Sequence, residues 1–339
     1  MMKNLSYPLL LVLAISVTAC QSNQKESGKA PVIRGDYFGQ TPPGDSARLF
    51  APDIITTGMN ERDFAITPDG NEIFFCREAG NFRYATIFYT RRNDNIWEKP
   101  EVFEYCTNPG YKYFEPHLSP DGEQLFFISI MPSDSATAGN EDIWVSAKTD
   151  GRWAQPRRLG LPVNTKSKEY FPSVTRNGTI YYTHLDTTAR DEFIYRSQLV
   201  NGEYRQPEKL GPNVNIGSAR YNAFVAADES YIIIPAYGMP DSFGGTDYYI
   251  SFRDSLDNWS QPLNMGPKIN SANPREWSAS VTPDGRYLFF MSARMGSTSL
   301  EQLSEESLQN FHNSPQNGNT DIYWISTSVI EELRAQAGF

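Results

Sequence analysis

Apolar and polar positions along the chain fall into a pattern that returns at intervals of just over fifty residues. The matching segments are FAITPDGNEIFFCR from Phe64, PHLSPDGEQLFFIS from Pro116, PSVTRNGTIYYTH from Pro172, AFVAADESYIIIPA from Ala223 and ASVTPDGRYLFFMS from Ala279. In each, an alternating run leads into a tight turn, and an unbroken apolar, aromatic run follows. The turns centre on Asp69, Asp121, Asn177, Asp228 and Asp284, spaced by 52, 56, 51 and 56 residues. Asp-Gly and Asn-Gly supply the positive φ that a short hairpin requires. A linked pattern comes next: a strand such as ATIFYTR from Ala85 or DIWVSAK from Asp142, then a turn, a Trp or Tyr (Trp97, Trp153, Tyr204, Trp259) and a Pro (Pro100, Pro156, Pro207, Pro262). Three units run on to Asn164, Asn215 and Asn270. Each unit therefore predicts four strands, the outermost carrying a Pro where a ladder edge needs no N–H donor.

Four-stranded units at this period predict an all-β fold, a β-propeller with its blades packed around a channel. The last unit supplies three strands and no fourth. The segment ARLFAPDIITTG from Ala47 precedes the first unit and resembles a fourth strand without its Trp. It is expected to pair with the last three and close a ring of five blades, which removes the exposed sheet edges. Six blades is the alternative, with a degenerate unit hidden in 295–320. Leu spacing instead predicts a helical insertion over 299–311, and 329–337 reads as a C-terminal helix.

The T/S-P-D-G-x-x-L-F-F-x-S…D-I-W-V pattern resembles the WD40-like repeat PD40, which builds the propeller of TolB-type periplasmic proteins. The match covers about 47 to 326 and is weakest in the fourth unit, where Ala227-Asp228-Glu229 replaces Pro-Asp-Gly. The YFGQTPPG stretch from Tyr37 is similar to the lead-in of anchored propellers from Bacteroidetes. The resemblance implies a binding or scaffolding role towards other envelope components. The stretch before Ala47 is too short for the separate α/β domain of TolB.

Residues 1–19 read as a secretory signal: Lys3, an apolar stretch from Leu9 to Ala19, and small residues before Cys20. Cys20 resembles the lipidated cysteine of the bacterial lipobox. Residues 20–35 read as a polar tether and 36–339 as a single propeller domain. The expected location is the cell envelope, anchored to the outer membrane through Cys20, on its periplasmic face or at the cell surface. Cys76 and Cys106 could pair there or remain buried thiols; spacing does not decide. The 40 acidic and 30 basic residues give a formal charge of −10, which argues against nucleic acid. A monomer is expected.

Candidate chemistry lies where the inner strands enter the channel. Eight residues before each turn stand Glu61, Tyr113, Glu169, Arg220 and Glu276; next come Arg62, Phe114, Tyr170, Tyr221 and Trp277; then Asp63, Glu115, Phe171, Asn222 and Ser278. Strand alternation lets only one set point squarely into the channel. An aromatic, polar mouth built from Glu61, Arg62, Glu115, Glu169, Tyr170, Arg220, Tyr221, Asn222, Glu276 and Trp277 suits a protein segment or a glycan. The competing assignment packs the aromatics between blades and bonds the Glu residues to neighbouring backbone. The turn Asp residues are expected to satisfy backbone donors. Zinc, calcium, nucleophilic-serine, P-loop and dinucleotide signatures are missing, so no metal or cofactor is expected. One chemistry stays open, glycan cleavage by a hydrolase or lyase using Glu61, Glu115, Glu169 or Glu276, because it requires only two carboxylates across a channel.

Overall fold

The structure, a computed structural model, describes residues 32–132, 140–272, 275–297 and 300–339. The expected signal, Cys20 and most of the tether fall outside the described residues. Ile33–Phe339 forms one compact unit, a five-bladed propeller.

Blade 1 contains Asn60–Ile66, Glu72–Ala79, Tyr84–Asn93 and a short outer strand Glu101–Val102. Blades 2, 3 and 4 repeat that order with inner strands at Tyr113–Leu118, Glu169–Val174 and the divided pair Ala219–Arg220 and Phe224–Val225. Each outer strand is only two residues long and follows its Pro within two positions. Blade 5 has Ala279–Val281, Tyr287–Ser292 and Asp321–Ser326, and its fourth strand is Arg48–Leu49, paired antiparallel as Arg48 with Trp324 and Leu49 with Tyr323. The ring closes as the unit count requires, and 295–320 holds no sixth blade among the described residues.

The apolar runs after each turn fail to alternate because both faces of the second strand are buried between blades. Phe75 packs towards blade 5 and Phe74 towards blade 2; Phe127 and Phe126, Tyr182 and Tyr181, and Phe290 and Phe289 split in the same way. The five apolar clusters are thus the five blade interfaces, and the aromatic surplus of the sequence fills them.

Asn164, Asn215 and Asn270 have one shared job. Each carboxamide accepts from the N–H of a third-strand residue (Ile143, 2.9 Å; Ile194, 2.7 Å; Tyr248, 2.8 Å) and donates to that residue's own carbonyl (2.8, 3.1 and 3.0 Å). The clamp fixes the start of the third strand to the loop that leads into the next blade. Asn164→Ala leaves the buried Ile143 N–H unsatisfied, while the Ile143 carbonyl keeps the Leu159 N–H (2.9 Å), and is expected to cost about 2 kcal/mol in urea unfolding. Asn164→Asp keeps the acceptor but sets a buried carboxylate against the Ile143 and Leu159 carbonyls, and should cost at least as much at neutral pH.

The turn residues behave as expected. Asp69, Asp121, Asn177, Asp228 and Asp284 each accept a backbone N–H two residues on, at 3.0–3.1 Å. Cys76 and Cys106 are separate buried thiols, in different blade interfaces. The insertion forms a shorter helix than its Leu spacing suggests, Glu305–His312, because Ser304 and Ser307 make a capping box that starts it there. The C-terminal helix spans Ser328–Ala337.

Candidate functional site

The inner strands do not keep strict alternation at the channel entry. A bulge follows Arg62, Phe114 and Tyr170, and Asp63, Glu115 and Phe171 adopt φ of 58°, 56° and 52°; Asn222 matches them at 51°. Non-glycine residues held at positive φ in a strand mark a local constraint. This backbone lets blades 1 to 4 each bond to the blade before them around the ring. Asp63 N–H donates to Ser278 Oγ (3.4 Å), Glu115 N–H to Asp63 Oδ2 (3.2 Å), Phe171 N–H to Glu115 Oε2 (2.7 Å) and Asn222 N–H to Thr183 Oγ1 (3.0 Å). These bonds run blade to blade around the axis.

Arg62 sits at the centre of this belt, buried. Its guanidinium lies 2.8 Å from Asp63 Oδ2, 2.9 Å from Glu115 Oε1 and 3.5 Å from Glu78 Oε1. Burial drives the Glu115 carboxyl up to about 8 against the opposing pull of Arg62, and raises Glu78 as well. Asp63 Oδ1 and Asn222 Oδ1 are buried and accept no hydrogen bond.

The Glu residues of the first set bond to the loops that precede their strands. Glu61 accepts from Thr57 N–H (3.0 Å), Thr57 Oγ1 (2.6 Å) and Arg77 Nε (2.9 Å). Glu169 binds Thr165 in the same way and also His184 Nδ1 (2.9 Å); Glu276 binds Ser271 and Ser292. All three are fully buried, and their carboxylates tie the preceding loop to the inner strand. Burial lifts Glu276 to about 7. Arg220 is buried on Ile216 and Gly217 carbonyls and Asp191.

The second set divides by blade. Arg62 and Phe114 are buried, whereas Tyr170, Tyr221 and Trp277, on blades 3, 4 and 5, remain partly exposed. Of the ten candidate residues the structure therefore brings Arg62 and Glu115 together, buries Glu61, Glu169, Arg220, Asn222 and Glu276, and leaves Tyr170, Tyr221 and Trp277 partly exposed, Tyr170 packed against two blade-interface clusters and Tyr221 bonded through its hydroxyl to Thr246 (2.8 Å). Among the described residues no group of three or more His, Cys, Asp or Glu is arranged to hold a metal ion.

A second feature lies at the opposite end of the channel, by the turns. A cavity of about 350 Å³ opens there between blades 2 to 5 and the C-terminal helix, lined in part by His117, Val174, Arg176, Phe224, Ile330 and Arg334. None of the ten candidate residues lies among those that line it. The signal was present: four residues before the turn, His117 and Phe224 stand where other units have Ala65, Ser173 and Ser280, and Arg176 and Ala227 replace the Pro of Pro68, Pro120 and Pro283.

Three solved structures illustrate what the fold is similar to. TolB from Acinetobacter baumannii is 16% identical over 78% of this chain and 57% of its own, with a TM-score of 0.44. A thermostable family-43 glycoside hydrolase is 12% identical over 69% and 83% (TM-score 0.45), and an exo-β-1,3-galactanase from Clostridium thermocellum 11% over 87% and 61% (TM-score 0.45). The chain thus spans little more than half the length of that TolB. No protein-family model and no curated relative matches the chain.

Proposed function

We propose that the protein is a PD40-type, lipid-anchored propeller of the cell envelope that holds a protein segment or a glycan at the channel entry without breaking bonds in it. One observation carries this reading: Tyr170, Tyr221 and Trp277 stay partly exposed at the entry end, where the carboxylates are already bonded to loops and to neighbouring blades. Half-buried aromatic faces stack on sugar rings or apolar side chains. A glycosidase, in contrast, requires two carboxyl groups free to reach a scissile bond from either side. Glu61, Glu169 and Glu276 each spend their oxygens on Thr or Ser hydroxyls and amides, and Glu115 spends both on Arg62 and Phe171.

For location, the reading rests on the signal-like N-terminus and Cys20. Among the described residues no helix is long and apolar enough to cross a membrane. One experiment addresses both parts. Tagged protein expressed in a bacterium that processes lipoproteins should sediment with membranes, and Cys20→Ala should not. Capture from the solubilised membranes should recover a protein or polysaccharide that is lost with Tyr170→Ala plus Trp277→Ala. Unchanged fractionation of Cys20→Ala contradicts the anchor, and unchanged recovery contradicts the assigned surface.

A further inference from the structure

We propose that the turn-end cavity is a separate binding site for a small organic monocarboxylate whose apolar body ends in a hydrogen-bond acceptor. The site interrupts the repeat, and its departures share one place. His117 and Phe224 occupy the inner-strand position that is small in the other three blades, and Arg176 brings a charge where three turns have Pro. Within the blades His117 accepts Val174 N–H as Ser173 accepts Val225 N–H (3.0 Å), and Phe224 joins the apolar cluster between blades 4 and 5; blade packing leaves the exposed Arg176 without a reason.

Each wall has a chemistry. At the deep end, His117 Nε2 accepts from Val174 N–H (2.8 Å), so the ring is neutral and its proton sits on Nδ1. Burial pushes the imidazole down to about 4, so the tautomer holds at neutral pH. A neutral N–H donor takes an acceptor such as a carbonyl oxygen, not a second charge. Val174, Phe224 and Ile330 supply apolar contact along the length of the cavity. At the rim stand two guanidinium groups. Arg176 is exposed and forms no ion pair within 4 Å among the described residues. Arg334 projects from the C-terminal helix over Phe252 (4.7 Å), and its only ion pair among the described residues is a 3.7 Å contact with the mostly exposed Glu331. Such an exposed pair yields readily to a better carboxylate. Asp228 and Glu331 share the rim, which restricts the ligand to one negative charge; Asp228 is held to its own turn by Ser230 N–H at 3.0 Å. The volume suits a compact molecule at the low end of ligand pockets.

The test uses three probes on the folded protein from Ile33 to the C-terminus, which forms one compact unit: 4-acetylbenzoate, 4-acetylbenzamide and 4-ethylbenzoate. Titration by NMR should show 4-acetylbenzoate binding about fivefold more tightly than either control, the amide lacking the charge and the ethyl compound the acceptor. Arg176→Gln with Arg334→Gln should remove the preference for acid over amide and leave amide binding as it was. The ¹⁵N imidazole spectrum should report the Nδ1–H tautomer of His117 and shift its Nδ1 signal with 4-acetylbenzoate alone. Equal affinity for acid and amide, an unchanged preference in the double variant, or no binding at about 10 mM overturns the proposal. Tyr170→Ala plus Trp277→Ala should leave these titrations unaltered, so failure here and failure at the entry end are told apart.

Discussion

Removing residues 33–52 should abolish cooperative folding. Arg48–Leu49 is the fourth strand of blade 5, and its loss exposes the ladder edge of Asp321–Ser326. The same segment carries Tyr37, Phe38, Phe50 and Ala51 into the interface between blades 5 and 1. Phe50 is fully buried and meets Phe64, Phe289 and Trp324 at centroid distances of 5.2, 4.9 and 5.3 Å. On the other side Phe38 stacks on Trp97 (4.4 Å), whose indole N–H donates to Gly35 carbonyl (2.7 Å). The segment therefore fastens the last blade to the first. Burial of an aromatic side chain stabilises by about 2–3 kcal/mol, so three of them approach the total of about 5–15 kcal/mol typical of a domain. Circular dichroism during urea titration should show a broad, non-cooperative change in the truncated protein, with dye binding that reports exposed apolar surface. A sharp transition at the wild-type midpoint contradicts closure by this strand.

Arg62→Met should be the most damaging single substitution at the channel. It leaves Asp63, Glu78 and Glu115 together without their buried counter-charge, a loss of about 3–5 kcal/mol at neutral pH. The sign of the pH effect follows from the raised carboxyls. Glu115 titrates near 8 in the folded protein and near 4.3 unfolded, so across that window the folded state holds more protons. Wild-type stability from this group is therefore greatest below about pH 4.3 and declines as pH rises towards 8. Arg62 opposes the rise of Glu115 and Glu78, so without it both rise further, and the deficit of the variant should widen from about pH 7 upward, where wild-type Glu115 begins to release its proton. Urea midpoints of both proteins at four pH values check this. A deficit constant with pH, or one that shrinks as pH rises, contradicts the buried cluster.

The blades were legible in the sequence because one period governs them. Apolar runs, turn residues and outer Pro recur together, and the count of strands forced the closing role on Arg48–Leu49. The shared clamp of Asn164, Asn215 and Asn270 could be seen as a pattern, but its partner is a strand start some twenty residues earlier. The site was harder to read for a specific reason. Strict alternation was assumed at the channel entry, whereas the bulges after Arg62, Phe114 and Tyr170 break it and let blades bond to one another through Asp63 and Glu115. Nor does a strand register announce that Glu61, Glu169 and Glu276 are consumed by hydroxyls four or five residues upstream, on Thr57, Thr165 and Ser271. The turn-end cavity needs the C-terminal helix to fold back on blades 4 and 5, a long-range contact with no periodic trace.

The central claim is that the entry-end carboxylates hold the propeller together and leave a bound chain intact. Incubation of the purified protein with a panel of envelope and plant polysaccharides, followed by assays for new reducing ends and for unsaturated products, tests it most directly. No product of either kind is expected. Product formation by the wild type that is abolished in Glu115→Gln or Glu276→Gln, with the fold retained, would contradict it.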